Sequence, residues 1–361
     1  VDHMRRAKAI VLALVIALAS ITAVTPWASA QEKLTFGMII KYPGVPYIEA
    51  FIRAAQDKAK ELGVEVIIRD GAGDSLVIME LMDTFALMGV DGLIMAGAVD
   101  LRAIVPGVLR LNAEGIPIVA LDTSPEGGRI EYFITADIEA MSAKAARYFI
   151  EDIKRRHGGQ VPEGVVIEIT GDIRDMFTHA ANRGFRSVID QYPQLRVVQG
   201  EGNWNNFDAH ERTVDLLTRY GDEVVGIYVH TPDIMGPGVV SGIEAAGYNP
   251  ADYSVTGIWM APEGQQLIRE GKILGAVAMP AYVPAQMAVD LLYRINMGLP
   301  VPQLGDVIEE EGALWSPAVV RKNPFADEGL LIDLQAPFVP FEADVDDPRL
   351  WENRLKDLWQ Q

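Results

Sequence analysis

The stretch LTFGMIIKYPGVPYIEAFIRAAQDKAKELGVEVII, residues 34–68, holds one complete strand–helix–strand unit. Leu34–Ile40 is a short apolar run and reads as a buried strand. Pro46 opens a helix, because its fixed φ and missing N–H suit the first helical turn. Ile48, Phe51, Ile52, Ala55, Ala59 and Leu62 recur at spacings of three and four, so one helix face is apolar. Gly63 stops the helix, and Val64–Ile68 is the next strand.

The rhythm continues outward from that unit. A helix at Leu76–Met88 leads to a strand at Leu93–Ala96, a helix at Leu101–Ala113 to a strand at Ile116–Leu121, and Ile130–Thr135 adds one more strand. It then restarts with a helix at Glu139–Arg156. Strands at Val165–Thr170, Leu195–Gln199, Val224–Val229, Ser254–Ile258 and Ile273–Ala278 follow. Between them lie helices at Ala180–Gln191, Ala209–Tyr220, Ile234–Ala246 and Glu263–Glu270, and Ala285–Met297 closes the series. Strict alternation implies parallel sheets covered on both faces by helices. Two successive sets imply two α/β lobes, and the short join near Asp137 implies a hinge rather than a long linker. After Pro300 the chain is proline-rich and acidic, without alternation; Leu350, Trp351, Leu355, Leu358 and Trp359 predict one amphipathic closing helix.

The 361 residues are 49% hydrophobic and include no cysteine, so about two domains must be held by their cores alone. Disulfides, thiolate catalysis and cysteine-based zinc sites are excluded together. Residues 1–30 read as a cleaved secretory signal peptide, with Val1-Asp2-His3 as a cloning scar. Arg5, Arg6 and Lys8 precede an apolar run over Ala9–Val24, and Ala28-Ser29-Ala30 forms the exit. The expected location is the periplasm. A formal charge of −19 opposes binding to nucleic acid and to anionic lipid.

Motifs for catalysis are missing. No phosphate-cradling Gly-x-x-x-x-Gly-Lys occurs, and the loop after the first strand is Lys41-Tyr42-Pro43-Gly44-Val45-Pro46 rather than Gly-x-Gly-x-x-Gly. No Gly-x-Ser-x-Gly elbow occurs. His157, His179, His210 and His230 stand apart from any zinc-motif spacing. The expectation is a non-enzyme with no cofactor and no metal; an acid pair meeting in a cleft stays open as an alternative.

In open α/β sheets ligands sit beyond the carboxyl ends of the strands. Those positions hold Lys41, Tyr42 and Tyr47, then Asp122 and Thr123, then Asp137. In the second lobe they hold His179 and Asn182, Trp204 within Asn203-Trp204-Asn205-Asn206, His230 and Asp233 within His230-Thr231-Pro232-Asp233, then Trp259 and Met279. Rings that stack on apolar sugar faces, beside groups that bind hydroxyls, suit a hydroxylated small molecule. Each residue also has a plain reading: Tyr47 as core, Asp122 as a brace of the hinge, His179 as a solvated helix start, Trp204 and Trp259 as packing aromatics.

At these loops the chain resembles the ribose-binding-protein-like family of periplasmic solute receptors that feed sugar ABC transporters. The likeness covers about Leu34 to Val320. It rests on Pro46-Tyr47, on Gly115-Ile116-Pro117-Ile118-Val119-Ala120-Leu121-Asp122, on Gly184-Phe185, on Asp233-Ile234-Met235-Gly236, and on Glu270-Gly271-Lys272-Ile273-Leu274-Gly275-Ala276-Val277.

The resemblance implies a type I periplasmic binding protein fold. Two Rossmann-like lobes, 34–136 with 280–312 and 137–279 with 313–361, would join at crossings near Asp137, Met279–Ala281 and Ile308–Leu314. It implies ligand contacts at Lys41, Tyr47, Asp122, Thr123, Asp137, His179, Trp204, Pro232 or its neighbours, Trp259 and Met279. It also implies a monomer that serves an ABC permease and its ATPase. Thr123, Pro232, Trp259 and Met279 replace the Arg, Asn, Asp and Gln frequent in that family. The implied ligand is therefore a small polyol, a modified sugar or a more apolar solute. Lys41-x-x-Gly44-Val45 is similar to the first loop of autoinducer-2 receptors, whose Asp-Gln pair reads here as Ala180-Ala181. A signal receptor for a membrane sensor, or a lobed enzyme acting on a carbohydrate, are the alternatives.

Overall fold

The computed structural model describes residues 33–97 and 100–359. The leader expected over residues 1–30 lies outside the described residues. The first sheet begins with β1 (Thr35–Ile40), β2 (Glu65–Asp70), β3 (Gly92–Ala96), β4 (Ile118–Leu121) and β5 (Arg129–Ala136). These strands are parallel, in the order β2-β1-β3-β4-β5. The helices of this half are α1 (Pro46–Leu62), α2 (Ser75–Met88) and α3 (Val105–Ala113).

The second sheet repeats the plan with β6 (Gly164–Thr170), β7 (Leu195–Glu201), β8 (Val224–Val229), β9 (Ser254–Ile258) and β10 (Gly275–Val277). Its order, β7-β6-β8-β9-β10, matches the first. Helices α4 (Ile138–Arg156), α5 (Met176–Ile189), α6 (Asn206–Tyr220), α7 (Gly236–Ala245) and α8 (Ala261–Arg269) belong to this half, and α9 (Tyr282–Met297) packs back against α1. In such an order the strand sequence reverses direction beside β1 and beside β6. The loops after those two strands therefore diverge and leave a crevice.

Local chemistry explains the elements. Strands β1, β3 and β4 are buried on both faces, which is why they read as continuous apolar runs. Helix α1 buries Ile48, Phe51, Ala55 and Ala59 along one stripe, and Gly63 ends it in the left-handed conformation at φ 70°. Burying a side chain such as Phe51 contributes about 1.5–3 kcal/mol. Helix α5 starts at Met176, four residues before the expected start. Asp175 caps it by accepting the Phe177 N–H. Gly184 lets α5 approach α4, since a Cβ there would meet the Glu139 carbonyl oxygen at 2.1 Å.

The tail departs from expectation. Residues after Pro300 do form strands: β11 (Val307–Ile308), β12 (Ala318–Lys322), β13 (Glu328–Leu334) and β14 (Phe338–Val339). β13 pairs parallel with β5, and β12 and β11 extend the first sheet antiparallel. Only β14 joins the second sheet, antiparallel to β10. Residues 313–334 thus belong with the first sheet, not with the second lobe as the sequence suggested. The third crossing is Leu334–Phe338 rather than Ile308–Leu314. These strands escape sequence reading because two are only two residues long and β12 ends in exposed Arg321 and Lys322. The closing helix is a single turn, α10 (Trp351–Arg354), followed by a 3-10 turn at Lys356–Leu358. Trp351 is buried, and its indole N–H donates to the Met279 carbonyl at 2.9 Å.

Candidate functional site

Lys41 follows directly on β1, beside the first switch point. Its ammonium is buried and donates to Asp175 Oδ2 at 2.8 Å. Asp175 sits at the start of α5, so this ion pair ties the first sheet to the second across the crevice. Burial works against the Lys41 charge, but Asp175, Tyr42 and Asp122 outweigh it and hold its pKa above the usual range. A pair this deep contributes less by attraction than it would cost if one partner were lost.

Around it lies a small cavity, about 30 Å3, with walls from both halves. Lys41, Tyr42, Tyr47 and Asp122 come from the first, and Asp175, Phe177, Trp204, Thr231, Asp233, Ile234 and Trp259 from the second. That is well below the ~300–1,000 Å3 of ligand pockets, so a solute would enter as the two halves part. Tyr47 and Trp259 face each other with ring centroids 4.7 Å apart and planes tilted by 39°. Phe177 meets Trp204 edge to face at 5.5 Å. Gly171, just beyond β6, makes room for Trp204: a Cβ there would fall 1.9 Å from the indole.

Three wall residues hold strained backbone. Asp122, Trp204 and Trp259 have φ of 68°, 57° and 68°, a region costly for residues with a Cβ. Such strain, of order 1–3 kcal/mol each, persists only where the surroundings over-determine it and clusters at ligand clamps. At Asp122 and Trp259 it turns the side chain off a strand tip into the crevice.

Several buried polar atoms in this wall have no partner: both carboxyl oxygens of Asp233, the Thr231 hydroxyl and the Trp204 indole nitrogen. Buried polar groups are almost always paired, so each such atom points to something that completes it. Burial raises the Asp233 pKa to about 7. It does the same for Asp122, also to about 7, where Lys41 pulls down and Asp175 pushes up.

Of the thirteen residues named from sequence, Lys41, Tyr42, Tyr47, Asp122, Trp204, Asp233 and Trp259 converge on this cavity. Thr123, Asp137, His179 and Asn182 line a neighbouring depression that shares Asp122. There Asp137 caps α4 by accepting the Ala140 N–H, and His179 is exposed.

His230 and Asn182 serve another purpose. The Glu168 carboxylate on β6 is fully buried and accepts from His230 Nε2 at 2.9 Å, Asn182 Nδ2 at 2.9 Å and Gln199 Nε2 at 2.8 Å. The Gly171 N–H approaches His230 Nδ1 at 3.5 Å, which leaves the imidazole proton on Nε2. Burial opposes the Glu168 charge, but these donors outweigh it and keep its pKa below the usual range. Met279 is core, and its side chain does not reach the cavity. A strand tip gives a residue's place but not its direction.

Asp175, Phe177 and Ile234 are wall residues that the sequence reading omits, and Thr231 was quoted in its loop without being chosen. Asp175 carried a signal: an Asp followed by Met176-Phe177 has the form of a helix cap. Among the described residues, no group of three or more His, Asp or Glu is arranged to hold a metal ion.

A family model described as a periplasmic binding protein domain matches residues 36–299. Among curated proteins, the ribose import binding protein of Bacillus subtilis (strain 168) is 24% identical over 294 residues, covering 80% of this chain and 92% of that protein. The D-allose-binding periplasmic protein of Escherichia coli (strain K12) is 25% identical over 268 residues, 71% of this chain and 83% of that one. Among solved structures, a periplasmic solute binding protein from Actinobacillus succinogenes 130z, with bound D-allose, superposes with a TM-score of 0.67 at 19% identity; the match covers 75% of this chain and 94% of that one. A galactofuranose binding protein superposes at 0.72 with 17% identity, covering 89% and 99%. At those identities the structural likeness concerns the fold.

Proposed function

The chain belongs to the periplasmic binding protein domain family, and we propose that it clamps a sugar, polyol or related small polar solute between its two sheets and delivers it to an ABC importer. The relatives named above bind or import ribose and allose, which supports a carbohydrate-like solute. The observation that carries the reading is the set of unpaired buried atoms at Thr231, Asp233 and Trp204, facing one cavity walled by both halves. The role is binding, not catalysis.

The mechanism follows from the topology. The chain crosses between the sheets at Ala136–Ile138, Val277–Tyr282 and Leu334–Phe338. Three adjacent crossings allow a hinge. A solute that touches Tyr47 and Asp122 on one side and Trp259 and Asp233 on the other binds the closed form better than the open one. It thereby shifts the population toward closure. The permease would then read the closed rim. The protein acts as a single chain, exported by a leader that is removed.

A thermal-shift screen over sugars, polyols and furanone-type signals tests this. A solute at ~100 times its dissociation constant adds about 2.7 kcal/mol to stability. Trp259→Ala and Asp122→Ala should each remove the shift. The proposal falls if both variants retain it, or if the purified protein steadily converts the bound solute to product.

A further inference from the structure

The cavity wall carries one ammonium and three carboxyls: Lys41 against Asp122, Asp175 and Asp233. Lys41 contacts Asp175 and acts on Asp122 at longer range. Asp233 has no such help. It is 4% exposed, no side chain meets either of its oxygens, and only the backbone N–H groups of Asp233 and Ile234 favour its charge. The charged neighbours that bear on it are Glu263 on α8 and Glu352 on α10, both acids. Glu352 is itself 1% exposed, with no side-chain partner and only the backbone N–H groups of Glu352 and Ala261 beside it. Among the described residues, the protein thus gathers buried acids on the Asp233 side of the cavity and sets no cation against them.

Burying a carboxylate without a counter-charge is among the costliest arrangements a fold can hold. The rest of the wall suits the missing partner. Tyr42, Tyr47, Phe177, Trp204 and Trp259 supply ring faces, which attract cations. Thr231 and the Trp204 indole supply hydroxyl and N–H groups that call for an oxygen on the same molecule.

We propose that the solute is a small hydroxylated amine, an amino sugar or amino alcohol. Its ammonium lies against Asp233 among the aromatic rings, and its hydroxyls meet Thr231 and Trp204. This rests on the cleft being the solute site and names the chemistry it selects.

The test is calorimetric titration of the full chain with matched pairs: serinol against glycerol, and D-glucosamine against D-glucose. The aminated member of at least one pair should bind about tenfold or more tighter. Asp233→Asn, which keeps the shape, should erase that preference. Glu352→Gln, placed behind the wall, should reduce the preference in part. Equal or tighter binding of the neutral member in both pairs overturns the amine and leaves the clamp standing. So does an Asp233→Asn protein that keeps the preference. If no amine, sugar or polyol produces heat or a thermal shift, both this inference and the clamp fail.

Discussion

Two clusters of polar side chains meet on one turn of chain after β8. His230 belongs to the first, with Glu168, Asn182 and Gln199; Thr231 and Asp233 belong to the second, with Trp204. At the heart of each is a buried carboxyl, Glu168 in the first and Asp233 in the second. In the first, every oxygen of Glu168 is met by a donor from the protein. In the second, no side chain of the protein meets the donors and acceptors. Burial alone therefore does not separate a brace from a binding site; counting hydrogen-bond partners does.

The contrast is open to direct tests. The largest effect is expected from Glu168→Leu. It strands the buried His230 donor and the half-buried Asn182, while Gln199 can turn to solvent, and should cost about 3 kcal/mol, measured by urea unfolding. A loss under about 1 kcal/mol would mean the first cluster is not a brace. Next comes Lys41→Met, which leaves Asp175 buried and unpaired and should cost about 3 kcal/mol. The double variant Lys41→Met/Asp175→Asn keeps the α5 cap and should recover most of that loss. If it does not, the ion pair is more than a neutralised charge.

The two clusters should respond to pH with opposite signs. The Glu168 pKa is lower in the folded protein, so its contribution is present at neutral pH and is lost as pH falls below the ordinary value of 4.5. The Asp233 pKa rises from 3.8 to about 7 and that of Glu352 from 4.5 to about 8. Through those windows the folded chain holds protons that the unfolded chain has released. Stability of the solute-free protein should therefore decline as pH rises through each window, by up to about 1.4 kcal/mol per pH unit per acid. Asp233→Asn should flatten part of that slope in thermal melts taken across the range. A slope unchanged by the substitution would place the titration elsewhere. Smallest of all, His179→Ala should change stability by no more than about 0.5 kcal/mol and leave solute affinity unaltered. A clear loss of affinity would extend the site into the outer depression.

Much of this was legible in the chain. The doubly wound halves could be read because parallel strands buried on both faces, such as Leu93–Ala96 and Ile116–Leu121, leave unbroken apolar runs between amphipathic helices. The tail's edge strands β11 and β14 could not, because two residues are too few for any period to emerge, and the apolar run Leu330-Leu331-Ile332 of β13 stands among prolines and acids without a helix to mark it. Lys41, Asp122, Asp233 and Trp259 come together at the cavity because a strand tip fixes where they lie. His230, Asn182 and Met279 were placed near the site by the same rule and turned away by packing. Asp175 was missed because it stands five residues beyond its strand, and only the start of α5 brings it back to Lys41.

The three crossings have a practical meaning for anyone who wants half of this molecule. The first sheet takes its sixth strand, β13, from almost two hundred residues beyond its fifth, and the second takes β14 from far beyond β10. No unbroken run of codons encodes either half in full. A fragment ending at Ala136 would present the bare side of β5 as an open, adhesive margin. Isolating a half would require splicing distant gene segments or a permuted chain with relocated ends.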